Sequence, residues 1–253
     1  LAYVLPGFVG RAPWKNADIA ALGYMLELAQ GRGHWLEPTL LGQPPEFDAL
    51  LPYWLGAWAM RLAPAWLPID FAGRLPFIGL LVLTLLAAWY AVYNLARTPR
   101  AQPVPFAFGG EAHPTDYARA VADGGLLALI ACFGLAQLSH ETTPSLAQLG
   151  FTALAFHGLA ALPYRGWTPL PSLAAGLLGL GLSGAPAMGV LFAAGGVLIH
   201  LSDRPEDADA PLRGRGGALA VAALALVAAI TAAAFDAWHW RLGLSSGPPR
   251  EWV

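Results

Sequence analysis

Asp18, Glu46, Asp48, His140 and Glu141 carry the ionisable side chains best suited to chemistry, because each stands beside an apolar run rather than inside one. Glu46 and Asp48 lie in the Pro-rich "QPPEFD". Their hard oxygens suit positioning an acceptor or holding magnesium or manganese, although two acids in such a loop also suit simple solvation. His140 and Glu141 lie in "SHETTP" at the end of an apolar run, where ionisable groups beside a membrane are functional candidates by default. A polar turn, with Pro144 opening the next helix, accounts for them equally well. Arg32, Arg61 and Arg74 have the planar fork that pairs with phosphate, and also the long stem that snorkels to lipid headgroups. Asp18 follows Asn16 at the start of a helical pattern, where the helix dipole favours an acid.

The elements that hold these residues follow from composition. Of 253 residues, 57% are hydrophobic and 12% charged, against about 25% charged in an ordinary soluble domain. The chain reads as an integral membrane protein. Fourteen Lys and Arg against sixteen Asp and Glu give a formal charge of -2, which carries no basic excess for nucleic acid. The single cysteine, Cys132, excludes an internal disulfide and a multi-cysteine metal site, and its apolar surroundings read as those of a small buried hydrophobe. No phosphate-binding Gly-rich loop, nucleophile elbow or zinc helix is present in the sequence.

Apolar runs mark the candidate helices. Residues 1–10 read as part of a first transmembrane helix, and 11–70 as an external loop. Residues 71–235 hold about six spans, with runs at 71–95, 124–139, 146–162, 170–182, 187–201 and 218–235. Residues 236–253 form an external C-terminal segment. The runs flanking "SGAPAM" predict a short helical hairpin turning at Ser183 to Pro186. Within 11–70, Asn16 is the expected N-cap of a helix over 17–30, with Ile19, Leu22, Met25, Leu26 and Ala29 on its apolar stripe. "DALLPYWLGAWAMRL" predicts a second amphipathic helix whose Tyr53, Trp54 and Trp58 suit the headgroup level. The expected fold is therefore all-α, a polytopic transmembrane helical bundle with interfacial amphipathic helices in its first external loop. Arg97, Arg100, Arg119, Arg165, Arg204, Arg213 and Arg215 fall together on the other side of this topology, which the positive-inside bias makes cytoplasmic.

The order "PWKNADIAALGYML" then "GHWLEPTLLGQPPEFDALLPYWL" resembles the first external loop of membrane GT-C glycosyltransferases, the group of protein mannosyltransferases and lipid A aminoarabinose transferases. In that family an acid opens the helix, a Gly-Asp-Trp-like turn and a Pro-x-x-x-Gly segment follow, and Glu-Lys-Pro-Pro precedes an aromatic helix. Asp18 stands at the acidic position, "GHW" replaces the turn and "PTLLG" matches, while Phe47, Asp48, Ala49 and Leu50 replace the last element with Glu46 one place early. The resemblance implies the N-terminal half of an enzyme that moves a sugar from a polyprenyl-phosphate donor to an acceptor lipid or protein at the external face. Asp18 would then be the general base, with Glu46, Asp48, His140, Glu141, Arg32, Arg61 and Arg74 around the substrates. The implied location is a bacterial inner membrane with residues 11–70 periplasmic, with further membrane subunits as potential partners. The altered Glu-Lys-Pro-Pro element supports a second reading, a non-catalytic GT-C-like structural or lipid-binding subunit. A small transporter is a third, and the sequence lacks the inverted repeat that such proteins show.

Overall fold

The computed structural model describes residues 2–46, 49–104, 109–110, 112–202 and 214–237. Among these there are nine α-helices and no strand, beyond an isolated bridge between Leu40 and Gln43. In chain order they are α1 (Asn16–Ala29), α2 (Leu51–Leu62), α3 (Ile69–Ala96), α4 (Pro114–Ala131), α5 (Phe133–Leu138), α6 (Pro144–Arg165), α7 (Leu170–Leu182), α8 (Pro186–Ser202) and α9 (Arg215–Ala234). Helices α3, α6 and α9, of 28, 22 and 20 residues, are long and apolar enough to cross a membrane. At 1.5 Å per residue even the shortest reaches about 30 Å, the thickness of a hydrocarbon core. Helices α7 and α8 are apolar but shorter, and meet in a tight turn at 183–185, where the expected hairpin turns.

Small residues let the central helices touch backbone to backbone. A Cβ at Gly158 of α6 would fall 2.6 Å from the Leu173 Cβ, and one at Gly176 of α7 would fall 2.7 Å from the Ala155 Cα, so neither position has room for a larger side chain. A polar chain runs across the same contact: His157 Nδ1 lies 3.0 Å from the Ser172 hydroxyl, which donates to the Leu154 carbonyl at 3.0 Å. His157 is thus bonded to a neighbouring helix, satisfying polar groups of α6 and α7 against each other.

Long-range contacts sort the connecting segments to two ends of the bundle. At one end α1 meets the α5–α6 turn through Asp18 and Thr142, the Leu50 N–H donates to the Leu182 carbonyl at 2.9 Å, and Trp54 packs edge-on against Phe235 at 5.5 Å. At the other end Arg165 donates to Asn94 at 3.3 Å, and residues 95, 100, 164 and 202 line one cavity. We call these the platform end and the arginine end.

Several expectations need correction. Helix α4 starts at Pro114, ten residues before the apolar run at 124. Polar "PTDYARAVAD" folds as helix because Pro114 fits its first position, the His113 ring accepts from the Thr115 N–H at 3.4 Å, and Asp123 accepts from the Trp89 indole at 2.7 Å. The run then breaks at Cys132, whose backbone leaves helical geometry at φ -66°, ψ 113°, and Cys132 is exposed rather than buried. Helix α1 is capped at Lys15 without a side-chain bond, so Asn16 is its first residue and not its cap. Its buried face is Asp18, Ala21, Tyr24, Met25 and Leu28, while Ile19 is 51% exposed. Of the expected stripe Met25 is buried and Leu22, Leu26 and Ala29 are half-buried against the core, so Ile19 alone turns out, and Ile19, Leu22 and Leu26 line an apolar cavity of about 230 Å³ with Met60 and Ile69. Residues 2–10 form turns and a short 3-10 helix, Leu5–Gly7, with Val4 and Phe8 buried. Phe47, Asp48, Arg204, Arg213 and 238–253 lie outside the described residues.

Candidate functional site

The buried polar groups of the platform end gather where the start of α1 meets the turn between α5 and α6. Asp18, third residue of α1, is 4% exposed. Its Oδ1 accepts from both the Thr142 N–H and the Thr142 hydroxyl, each at 2.7 Å. A carboxylate offers about four lone-pair positions, so these two bonds leave acceptor capacity for a further donor. Beside it Glu141, 3% exposed, is paired with the Lys15 ammonium at 2.5 Å from Oε1, and Lys15 also lies 4.8 Å over the Trp14 ring. Two buried acids thus share one corner, Asp18 held by Thr142 and Glu141 by the surface-reaching Lys15.

His140 closes the next side of the corner. Its Nε2 lies 2.9 Å from the Tyr3 carbonyl, and its Nδ1 lies 3.2 Å from the Ser139 hydroxyl and 3.3 Å from the Ala136 carbonyl. The ring packs against Tyr3 and Phe8 at 5.2 and 5.4 Å between centroids. Gly7 leaves space for it, since a Cβ there would overlap the imidazole.

Arg74 enters from α3 and is buried, 5% exposed. Its Nη1 donates to the carbonyls of Phe8, at 3.2 Å, and Arg11, tying residues 8–11 to α3, and Asp70 lies one turn earlier at 3.7 Å from Nη2. The Nη2 atoms of Arg11 and Arg74 are both buried without a hydrogen-bond partner among the described residues. Buried guanidinium donors of this kind favour an anion.

The structure therefore brings together Asp18, His140, Glu141 and, through residues 8–11, Arg74. The other candidates stand apart. Arg32 lies beyond the far end of α1, about 20 Å along the helix axis from Asp18, and makes a two-pronged bond to Glu27 at 2.9 and 2.7 Å. That bond holds the Glu27 carboxyl below its usual range. Arg61 lies 5.9 Å over the Trp35 ring, within a stack in which the Trp54 indole donates to the Trp35 carbonyl at 2.7 Å. Glu46 is exposed on the loop. The loop itself is anchored by Tyr24, whose hydroxyl donates to the Pro44 carbonyl at 3.0 Å and whose pKa is raised by burial. No group of three or more metal-ligating side chains occurs among the described residues. Thr142 and Lys15 complete the corner and were not singled out by sequence; their partners lie 124 and 126 residues away in the chain. Compared with protein-family models, curated proteins and solved structures, the chain finds no match.

Proposed function

We propose that this chain is a polytopic membrane protein of GT-C type that moves a sugar from a polyprenyl-phosphate donor to an acceptor at the face formed by its platform end. That face is periplasmic in a bacterial inner membrane, with α1 and α2 lying at the headgroup level. The observation that carries the reading is the buried corner itself. An acid at the start of a surface helix, Asp18, lies beside a second acid, Glu141, and the Nη2 atoms of Arg11 and Arg74, buried without a hydrogen-bond partner among the described residues, lie at the same end. A lipid-linked donor presents its phosphate at that level, so Arg11 and Arg74 supply donors to the phosphate and Asp18 accepts the proton of the attacking hydroxyl. The two Thr142 bonds aim the Asp18 carboxylate by holding its Oδ1 and leave Oδ2 for a further donor.

The protein purified in lipid and given a panel of labelled polyprenyl-phosphate sugars should transfer one of them, and Asp18→Asn should lower that rate at least about a hundredfold while donor binding persists. Wild-type turnover in the Asn variant removes Asp18 from the reaction.

A second reading is favoured by one specific observation: both acids already have partners inside the protein, Asp18 in Thr142 and Glu141 in Lys15. In a non-catalytic GT-C-like subunit these contacts serve only to clamp α1 onto the bundle. Asp18→Asn then lowers the melting temperature, and the wild type transfers no sugar from any donor of the panel.

A further inference from the structure

We infer that the arginine end carries a binding site for an anionic phospholipid, with the acyl chain between α6 and α8 and the phosphate on Arg97 and Arg165. The site is independent of the proposed transferase chemistry.

Two adjoining cavities make it. The first, about 770 Å³, opens between α6 and α8 and is walled by Phe156, Leu159, Phe192, Gly195 and Ile199. Its size falls within the roughly 300–1,000 Å³ of ordinary ligand sites. The second, about 490 Å³, is lined by Asn94, Arg97, Tyr164, Arg165 and Thr168. Tyr164 belongs to both linings, so the apolar space and the polar one adjoin.

Charge identifies the occupant. Among the described residues the polar cavity has two guanidinium groups on its wall and no carboxylate. Arg165 is held by its Nε, which donates to Asn94 Oδ1 at 3.3 Å, and Arg97 is steadied 5.7 Å over the Tyr93 ring. Both are thereby positioned without being neutralised by an acid in the cavity. An apolar slot ending in two fixed cations fits a molecule with a long hydrocarbon chain and a phosphate at its end. Basic pockets between helices are known to take phospholipid headgroups. Free phosphate satisfies the cations but leaves the slot unfilled, and a neutral lipid does the reverse.

Glycine at 195 supplies a way to separate the two halves, because a Cβ built there meets nothing within 4 Å. The test uses the full chain in detergent, incubated with equal amounts of phosphatidylglycerol and phosphatidylcholine of the same chain composition and weighed intact by native mass spectrometry. Wild type should retain the anionic lipid by at least about tenfold, each arginine being worth roughly fivefold. Arg97→Gln combined with Arg165→Gln should bring the ratio near one, and Arg97→Gln alone, at an exposed position, should lower it about fivefold should the double variant fail to fold. Gly195→Leu should reduce occupancy by both lipids and keep the ratio. Millimolar inorganic phosphate should leave the bound lipid in place. A wild-type ratio near one, a ratio kept in the arginine variants, or displacement by inorganic phosphate overturns the proposal.

Discussion

The two ends of the bundle solve the same problem, charged groups beside an apolar core, in opposite ways. At the platform end the acids and the imidazole are enclosed: Asp18 and Glu141 are buried and paired, and His140 is boxed by Tyr3, Phe8 and Gly7. At the arginine end charged groups line open space, with Arg97 and Arg165 on the wall of a cavity of about 490 Å³. An enclosed charge must be matched by partners built into the chain, whereas a charge on a cavity wall can be matched by something that arrives. Asp18, Glu141 and His140 are held by partners within the chain, whereas Arg97 and Arg165 stand beside open space, and the contrast can be tested end by end.

The largest effect concerns sidedness. In a Cys132→Ala background, Gln43→Cys at the platform end should react almost fully with a membrane-impermeant thiol reagent added outside cells. Ala101→Cys at the arginine end should stay unlabelled until the membrane is permeabilised. Labelling of both from outside breaks the assignment of the ends to two faces of a membrane, and the reverse pattern inverts it.

Next in size is the enclosed ion pair. Lys15→Met leaves the Glu141 carboxylate buried without its cation, which should cost roughly 2 kcal/mol, less than a fully buried pair because Lys15 reaches the surface. Adding Glu141→Gln to that variant should recover most of the loss in a thermal melt. No recovery would show that Lys15 acts through something other than Glu141.

A pair of glycines compares packing at the ends directly. Gly7→Ala pushes a methyl into the His140 ring and should cost about 1–3 kcal/mol, as overpacking does. Gly195→Ala points into the open cavity and should stay within about 0.5 kcal/mol. Equal melting temperatures for the two variants would erase the contrast between a closed end and an open one.

The smallest effect belongs to the exposed pair of Glu27 and Arg32. Because Arg32 lowers the Glu27 pKa, the stabilisation is present above the unfolded carboxyl pKa and disappears as pH falls through the folded one. Arg32→Gln should therefore melt slightly below wild type at neutral pH and together with it once the pH has fallen below the folded carboxyl pKa. A difference that persists in acid would mean that Arg32 contributes by packing and not by charge.

Legibility in the sequence followed local pattern. Helices α2, α3 and α6 to α9 could be read from apolar runs, and the α7–α8 hairpin from "SGAP" between two of them. The first half of α4 could not, since "PTDYARAVAD" is polar and one of the bonds that tie it down comes from Trp89 on another helix. Asp18, His140 and Glu141 were recognisable as acids and imidazole beside helix ends. Their partners were not, because Thr142, Lys15 and Tyr3 are ordinary residues until folding brings separated segments together. The same limit applies at one position of α1: Ile19 belongs to the expected stripe but is exposed, while its neighbour Asp18 is buried by its tether to Thr142. Arg32 and Arg61 looked equivalent to Arg74 as phosphate ligands, and only their local partners, Glu27 and Trp35, set them apart.

The clamp at the start of α1 also dictates an order of assembly. Asp18 waits for Thr142, and the backbone of Leu50 waits for the carbonyl of Leu182, so the early surface segment cannot settle until more than half of the chain has been made and placed. Contacts of such long sequence separation form late, after the loop between them has been closed. Helices α1 and α2 therefore dock late, and their docking reports that the α5–α6 turn and the α7–α8 hairpin have come to the same end of the bundle. A chain in which either had failed to arrive would leave the Asp18 carboxylate or the Leu50 N–H without its partner.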